Sequence, residues 1–208
     1  MRRRVSSIVA TAAAATFALG FSAMSASAQQ QEWVIDPGGD YTAASGTTVL
    51  TNTSNGVTLN CSGSDAEGTL NTNASGSPAQ IGTIAGISWE NCSGPLGLSF
   101  DVEPQNLPWS INGESYDAAT GVTTGSIGGV TAVLSGTSCN ATVEGATPGT
   151  YDNASDTLAP GPIAGSPHEL TVTYVDPGAG CFGLINTGDT VTFEGAYVVS
   201  PGQDVTLQ

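Results

Sequence analysis

Apolar side chains in this chain recur at every second position, in runs too short for helices. The clearest run is Leu96-Gly-Leu-Ser-Phe-Asp-Val102, where Leu96, Leu98, Phe100 and Val102 share one face and Gly97, Ser99 and Asp101 the other. A period of two is the pattern of a half-buried strand. Similar runs lie at 32–36, 47–52, 57–61, 68–71, 81–90, 109–111, 114–116, 121–127, 130–135, 139–144, 170–175, 190–199 and 204–207. Turn residues punctuate them. Asn55-Gly56 and Asn112-Gly113 both tolerate the positive φ of a tight hairpin, and Gly128-Gly129, Pro148-Gly149 and Pro201-Gly202 break the chain elsewhere. Residues 68–71 read as a short edge strand and 151–167 as a loop. Within 81–90, Thr83, Ala85, Ile87 and Trp89 share a parity, and Gly82 and Gly86 predict a bulge or a close strand approach. No window of a dozen residues carries a 3.6-residue stripe. The pattern predicts an all-β fold, an antiparallel β-sandwich of immunoglobulin-like or related type.

The first residues carry a different signal. Arg2-Arg3-Arg4 precede a mostly apolar run from Val5 to Phe21, and Ala26-Ser27-Ala28 supplies an A-x-A cleavage site. We read residues 1–28 as a signal peptide and 29–208 as a single β-sandwich domain. Ser6, Ser7, Thr11 and Thr16 interrupt the apolar run, which is short for a membrane span. No second long apolar run follows, so no membrane insertion of the mature chain is expected. The predicted location is extracellular or associated with the cell envelope.

Loss of the leader removes every basic side chain except histidine. Arg2, Arg3 and Arg4 are the only Lys or Arg residues, against 18 Asp and Glu. A chain without guanidinium or ammonium groups has nothing to hold phosphate, which argues against nucleic acid and nucleotides. Anionic membrane surfaces should repel it. The acidic excess favours solubility outside the cell.

Four cysteines remain, Cys61, Cys92, Cys139 and Cys181. In an exported chain an even count reads as disulfides. Three pairings can be drawn. Asn-Cys-Ser-Gly occurs at both Cys61 and Cys92, and Cys92-Ser-Gly-Pro-Leu loosely echoes Cys181-Phe-Gly-Leu-Ile. These echoes favour Cys61 with Cys92 and Cys139 with Cys181. No C-x-x-C exists and the spacings do not fit a zinc site.

Candidate chemistry is sparse. The single histidine, His168, lies in Gly-Ser-Pro-His-Glu, and no serine has the G-x-S-x-G context. Asp101 and Glu103 are the nearest thing to a glycosidase carboxylate pair, but they fall on the outward side of one strand. Asp65 with Glu67, and Asp152 with Asp156, offer oxygen ligands without following a calcium-loop pattern. Trp33, Trp89 and Trp109 read as packing residues, with stacking on a sugar as the alternative. We therefore assign no catalytic residue, no metal ligand and no cofactor.

The runs Asn91-Cys-Ser-Gly-Pro-Leu-Gly-Leu98 and Cys181-Phe-Gly-Leu-Ile-Asn-Thr-Gly-Asp189, with the leader and the Gly/Ser/Thr-rich composition, resemble a group of secreted proteins of actinobacteria. That resemblance covers most of the mature region and implies no activity. A fainter one is to neocarzinostatin-type apoproteins, which implies an acidic immunoglobulin-like fold with two disulfides; this chain is longer and its cysteines are spaced far more widely. The expected function is that of a secreted non-catalytic protein, a structural or interaction module with an extracellular partner. The alternatives are a small-ligand or carbohydrate-binding protein and, more distantly, a glycoside hydrolase. An apolar cavity would favour the ligand-binding alternative.

Overall fold

Alternation becomes strand along almost all of residues 31–208, the part of the chain that the computed structural model describes; the leader read at 1–28 lies outside it. In order the strands are β1 Glu32–Asp36, β2 Gly39–Ser45, β3 Thr48–Asn52, β4 Thr58–Cys61, β5 Gly63–Leu70, β6 Asn73–Ser75, β7 Ala79–Glu90, β8 Cys92–Ser93 and β9 Ser99–Pro104. They continue as β10 Trp109–Asp117, β11 Val122–Gly136, β12 Cys139–Asp152, β13 Thr157–Pro160, β14 Leu170–Gly180, β15 Thr190–Glu194, β16 Tyr197–Ser200 and β17 Asp204–Leu207. Only two single-turn 3₁₀ segments interrupt them, at Pro95–Gly97 and Cys181–Gly183. Every pairing is antiparallel, which is the all-β fold expected from the alternation.

Fourteen of these strands form one closed pairing circuit, and β11 and β12 bridge it. Those two pair as a hairpin from Val122↔Asp152 to Gly136↔Cys139, with one register shift between Gly128 and Val130. On one side of the bridge the circuit runs β12, β13, β16, β2, β5, β7, β10 and back to β11. On the other it runs β12, β14, β15, β3, β4, β8, β9 and back to β11. A circuit of this kind leaves few open sheet edges for another chain to add to. The remaining strands, β17, β1 and β6, make a small sheet that touches β7 and β10. One apolar cluster lies inside, and Trp33 and Ile35 of β1 and Val205 of β17 join it.

Several turn signals turn out to be strand features. Asn112-Gly113 does not reverse the chain but lies within β10, at a bulge. The glycine is needed because a Cβ there would sit 2.8 Å from the ring of Trp33. Gly128-Gly129 is likewise a bulge inside β11, with Gly129 at φ +72. Pro148-Gly149 lies within β12. Pro148 O accepts a hydrogen bond from Gly161 N, and in an antiparallel strand N–H and C=O of one residue point the same way. The donor that proline lacks therefore faces away from β11, in the interval where β12 changes neighbour from β14 to β13. The hairpin at Asn55-Gly56 is present, but only Gly56 has positive φ, so it is a wider turn closed by Gly56 N donating to Asn52 O.

Other differences concern parity. The strand at 68–71 is the end of β5, an interior strand between β2 and β7. The bulge read from Gly82 and Gly86 exists, and it switches sides: Ile84 is buried before it, whereas Ile87 and Trp89 face inward after it, leaving Ala85 exposed. Leu96 does not belong to the strand; it stands 98% exposed on the 3₁₀ turn, and β9 starts at Ser99. Part of the 151–167 loop is β13.

The disulfides are Cys61–Cys92 and Cys139–Cys181, closing separations of 31 and 42 residues. The chain-entropy model assigns roughly 3.5–4 kcal/mol to loops of that length. Replacing either pair by serines should lower the unfolding free energy by about that amount, as measured by urea titration of each double variant. A loss under about 1 kcal/mol for both would contradict the assigned role.

Candidate functional site

Many side chains facing the interior are too small to fill it. Ala43 of β2, Thr48 of β3, Ala66 of β5, Ala132 of β11 and Thr147 of β12 all line a cavity of about 70 Å³. Threonine suits a pleated strand and alanine less so, but both project little into the space between facing strands. The larger lining groups are aromatic. Trp89 stands 6.4 Å from Trp109 and meets Phe193 edge-on at 6.2 Å, and Tyr41 and Tyr197 close the wall. Such tilted and edge-on contacts hold the rings in place.

Polar atoms near the cavity are partly spoken for. Tyr197 donates to Ser64 Oγ, which donates to Ser88 O, and Tyr41 donates to Thr83 O. Trp109 Nε1 donates to Gln105 O. Two are not: Thr48 Oγ1 and Trp89 Nε1 are buried without a hydrogen-bond partner among the described residues, and both residues line the cavity. A buried polar group without a partner is costly. Burial pushes the Tyr197 hydroxyl up to about 12 and the Tyr41 hydroxyl upward as well. Outside the cavity, burial also pushes Tyr151 up to about 12, although the Gln203 backbone opposes it.

No Asp, Glu or His is among the residues lining this cavity. The structure places the sequence candidates elsewhere. Asp101 and Glu103 are exposed on the outer face of β9. His168 sits in the loop before β14 with Nε2 2.5 Å from Glu114 Oε1. Asp65 and Glu67 are exposed on β5. Asp152 accepts from Ala154 N and Asp156 from the Tyr151 hydroxyl, so both brace the β12–β13 turn. Among the described residues no three His, Cys, Asp or Glu side chains are grouped so as to hold a metal ion. Trp33 is fully buried beneath the small sheet, and Trp89 and Trp109 meet at a tilt within the cavity wall. The cavity itself was not read from the sequence. Its signal was the inward parity of Ala43, Ala66 and Ala132, positions where a filled core would carry larger side chains.

A smaller apolar space of about 30 Å³ lies beside it, beneath Pro95 and Ile185. Leu50, Leu59, Leu134 and Val143 line both, and so form the partition between them.

A family described as "Alkane oxidation protein activator PraA/PraB-like" matches residues 1–206. No curated protein and no solved structure matches the chain. The likenesses to actinobacterial secreted proteins and to neocarzinostatin-type apoproteins rest on the sequence runs alone.

Raised tyrosine values have a stability consequence. A hydroxyl whose folded value lies above the ordinary 10.0 favours the fold while it is neutral. That contribution is complete below pH 10 and is lost as pH rises through the folded value, about 12 for Tyr151 and Tyr197. Absorbance titration at about 295 nm should show three tyrosine ionisations coinciding with loss of the near-ultraviolet dichroism. Three that ionise near pH 10 with the fold intact would contradict this.

Proposed function

Because the chain belongs to the alkane oxidation protein activator PraA/PraB-like family, we propose that it is a secreted, non-catalytic accessory of alkane oxidation whose interior cavity binds a hydrocarbon. The observation that carries this reading is the lining: apolar and aromatic side chains without a carboxylate or histidine among them. Small-molecule sites are concave and mostly apolar, with a few polar groups that fix orientation. At about 70 Å³ this one is smaller than a hexane molecule, so its lining side chains must move apart to admit one. Alkanes offer nothing to a hydrogen-bonding site, so burial of their surface is the whole driving force, at about 25 cal/mol per Å². An activator of this kind acts on supply. It raises the amount of hydrocarbon dispersed in water, and another protein performs the oxidation. This reading replaces the structural or interaction module with the ligand-binding alternative. A sugar is a poor fit, since its hydroxyls need more partners than Thr48 and Trp89 provide.

The test uses n-hexane and the melting temperature. A ligand that binds only the native state raises it by mass action. Purified mature protein equilibrated with hexane vapour should melt higher than protein without it. Ala132→Leu, which puts a larger side chain into the cavity, should abolish the rise while retaining the strand-type dichroism. An absence of any rise in the unaltered protein, or an equal rise in Ala132→Leu, would sink the hydrocarbon reading.

Thr48 and Trp89 make a second, finer prediction about the first oxidation product class, a terminal alcohol. Thr48→Val keeps the shape of the side chain and removes the hydroxyl. It should weaken binding of 1-hexanol by about threefold to tenfold, the worth of one hydrogen bond, and leave hexane unaffected. Titration calorimetry with both ligands measures the difference, and equal effects on both would exclude a role for the hydroxyl.

A further inference from the structure

The two 3₁₀ turns resemble each other in structure as well as in sequence. The first closely follows the disulfide cysteine Cys92 and the second begins at Cys181, and each holds an apolar side chain in the left-handed region, Leu96 at φ 60 and Phe182 at φ 55. Left-handed backbone is unfavourable for such residues, so the conformation is imposed by its anchors. Both side chains point outward: Leu96 is 98% exposed and Phe182 65%. Cross-strand pairing puts the turns at one end of the molecule. A single row connects Cys92↔Phe100, Phe100↔Gly136, Gly136↔Cys139 and Cys139↔Gly180. The β3–β4 turn joins this end, since Asn52 and Asn55 both donate to Leu184 O.

This end is distinct in charge. Residues 52–64, 91–98, 135–140 and 177–188 contain no Asp or Glu, in a chain of net charge −15. Of the carboxylates that border these runs, Asp65 and Glu90 stay exposed on β5 and β7, while the two beside the second turn are tied down. Asp176 accepts from Gly178 N, and Asp189 from Asn52 Nδ2 and Asn186 N. Beneath the turns lies the smaller apolar space, roofed by Gly94, Pro95 and Ile185, and only Leu50, Leu59, Leu134 and Val143 separate it from the main cavity.

We propose that this uncharged end docks on a liquid hydrocarbon surface, with Leu96 and Phe182 inserted in the oil, and that hydrocarbon passes beneath Pro95 and Ile185 into the cavity. The proposal rests on the hydrocarbon-binding reading and names its access route. The occupant follows from charge: an acidic molecule is repelled by anionic phosphates, whereas the loops at this end carry no acid and face an uncharged phase without stripping water from a carboxylate. Scattered exposed apolar residues are ordinary. Two of them rigidly presented over an apolar space on charge-free loops are not.

The test is depletion of the mature protein from water by a hexadecane emulsion at submicromolar protein. Leu96→Ser with Phe182→Ser should lower the partition coefficient at least about tenfold, because transfer of one such side chain is worth about that factor. Tyr174→Ser with Val198→Ser, which removes two other exposed apolar side chains, should change it little. Leu96→Ser alone, at a nearly fully exposed position, serves where the double variant does not fold. Equal losses in both double variants, no loss at Leu96 and Phe182, or equal binding to phosphatidylcholine vesicles would overturn the proposal. The hexane-dependent rise in melting temperature should persist in the Leu96→Ser, Phe182→Ser variant. Its absence in the unaltered protein would defeat the cavity reading while leaving the emulsion result to judge the docking surface.

Discussion

Everything in this molecule hangs on the β11–β12 hairpin. Its two strands pair along their whole length, and each then changes its outer neighbour partway: β11 from β10 to β9, and β12 from β13 to β14. That change of partner is what lets one hairpin belong to both halves of the pairing circuit. It needs local breaks in the ladder, and the chain supplies them as the Gly129 bulge and as Pro148, whose absent donor faces the gap between β13 and β14. A hairpin of regular residues would keep one neighbour along each edge and could not close two circuits.

Closure also explains how an interior can hold a cavity. Backbone hydrogen bonds around the circuit fix the distance between facing walls, so the walls do not collapse onto Ala43, Ala66 and Ala132. An unfilled volume of about 70 Å³ costs on the order of 2 kcal/mol at the measured rate for core cavities. Each disulfide is worth roughly twice that in the chain-entropy model. The cross-links thus exceed the cost of the cavity, which a core of small side chains would otherwise carry on marginal net stability.

Strand content and disulfide pairing were legible because both are local signals. Alternation reports which residues are half-buried whatever their partners, and the repeated Asn-Cys-Ser-Gly marks two cysteines in like surroundings. Long-range facts were not. Gly113 looks like a turn residue from its neighbours, and only the Trp33 ring, brought by a distant strand, shows that its missing Cβ is the point. Leu96 fits the alternation of β9 perfectly well, yet the disulfide at Cys92 and the proline before it hold the backbone in a turn and put the side chain outside. The candidate site was invisible for the same reason. A cavity is an absence shared by residues far apart in sequence, and an inward alanine on one strand looks the same whether the facing strand fills the space or not.

The lack of cations bears on the site as well as on solubility. Of the basic side chains, only His168 falls among the described residues, and its partner Glu114 lies outside the cavity lining. Among the described residues no Lys or Arg is present to brace these strands by a salt bridge, and beyond apolar packing their rigidity comes chiefly from hydrogen bonds and sulfur. Hydrogen bonds between backbone groups and cross-links are little affected by an apolar phase, whereas surface ion pairs depend on the water around them. On the proposed docking, a molecule whose acid-free loops meet oil gains from this composition twice. Its fold does not rely on interactions that the interface would disturb, and its acids, gathered on the remaining surface, keep that surface in water. The same division orients the molecule, since rotating any acidic face toward the hydrocarbon would strip solvent from carboxylates that have no partner to replace it.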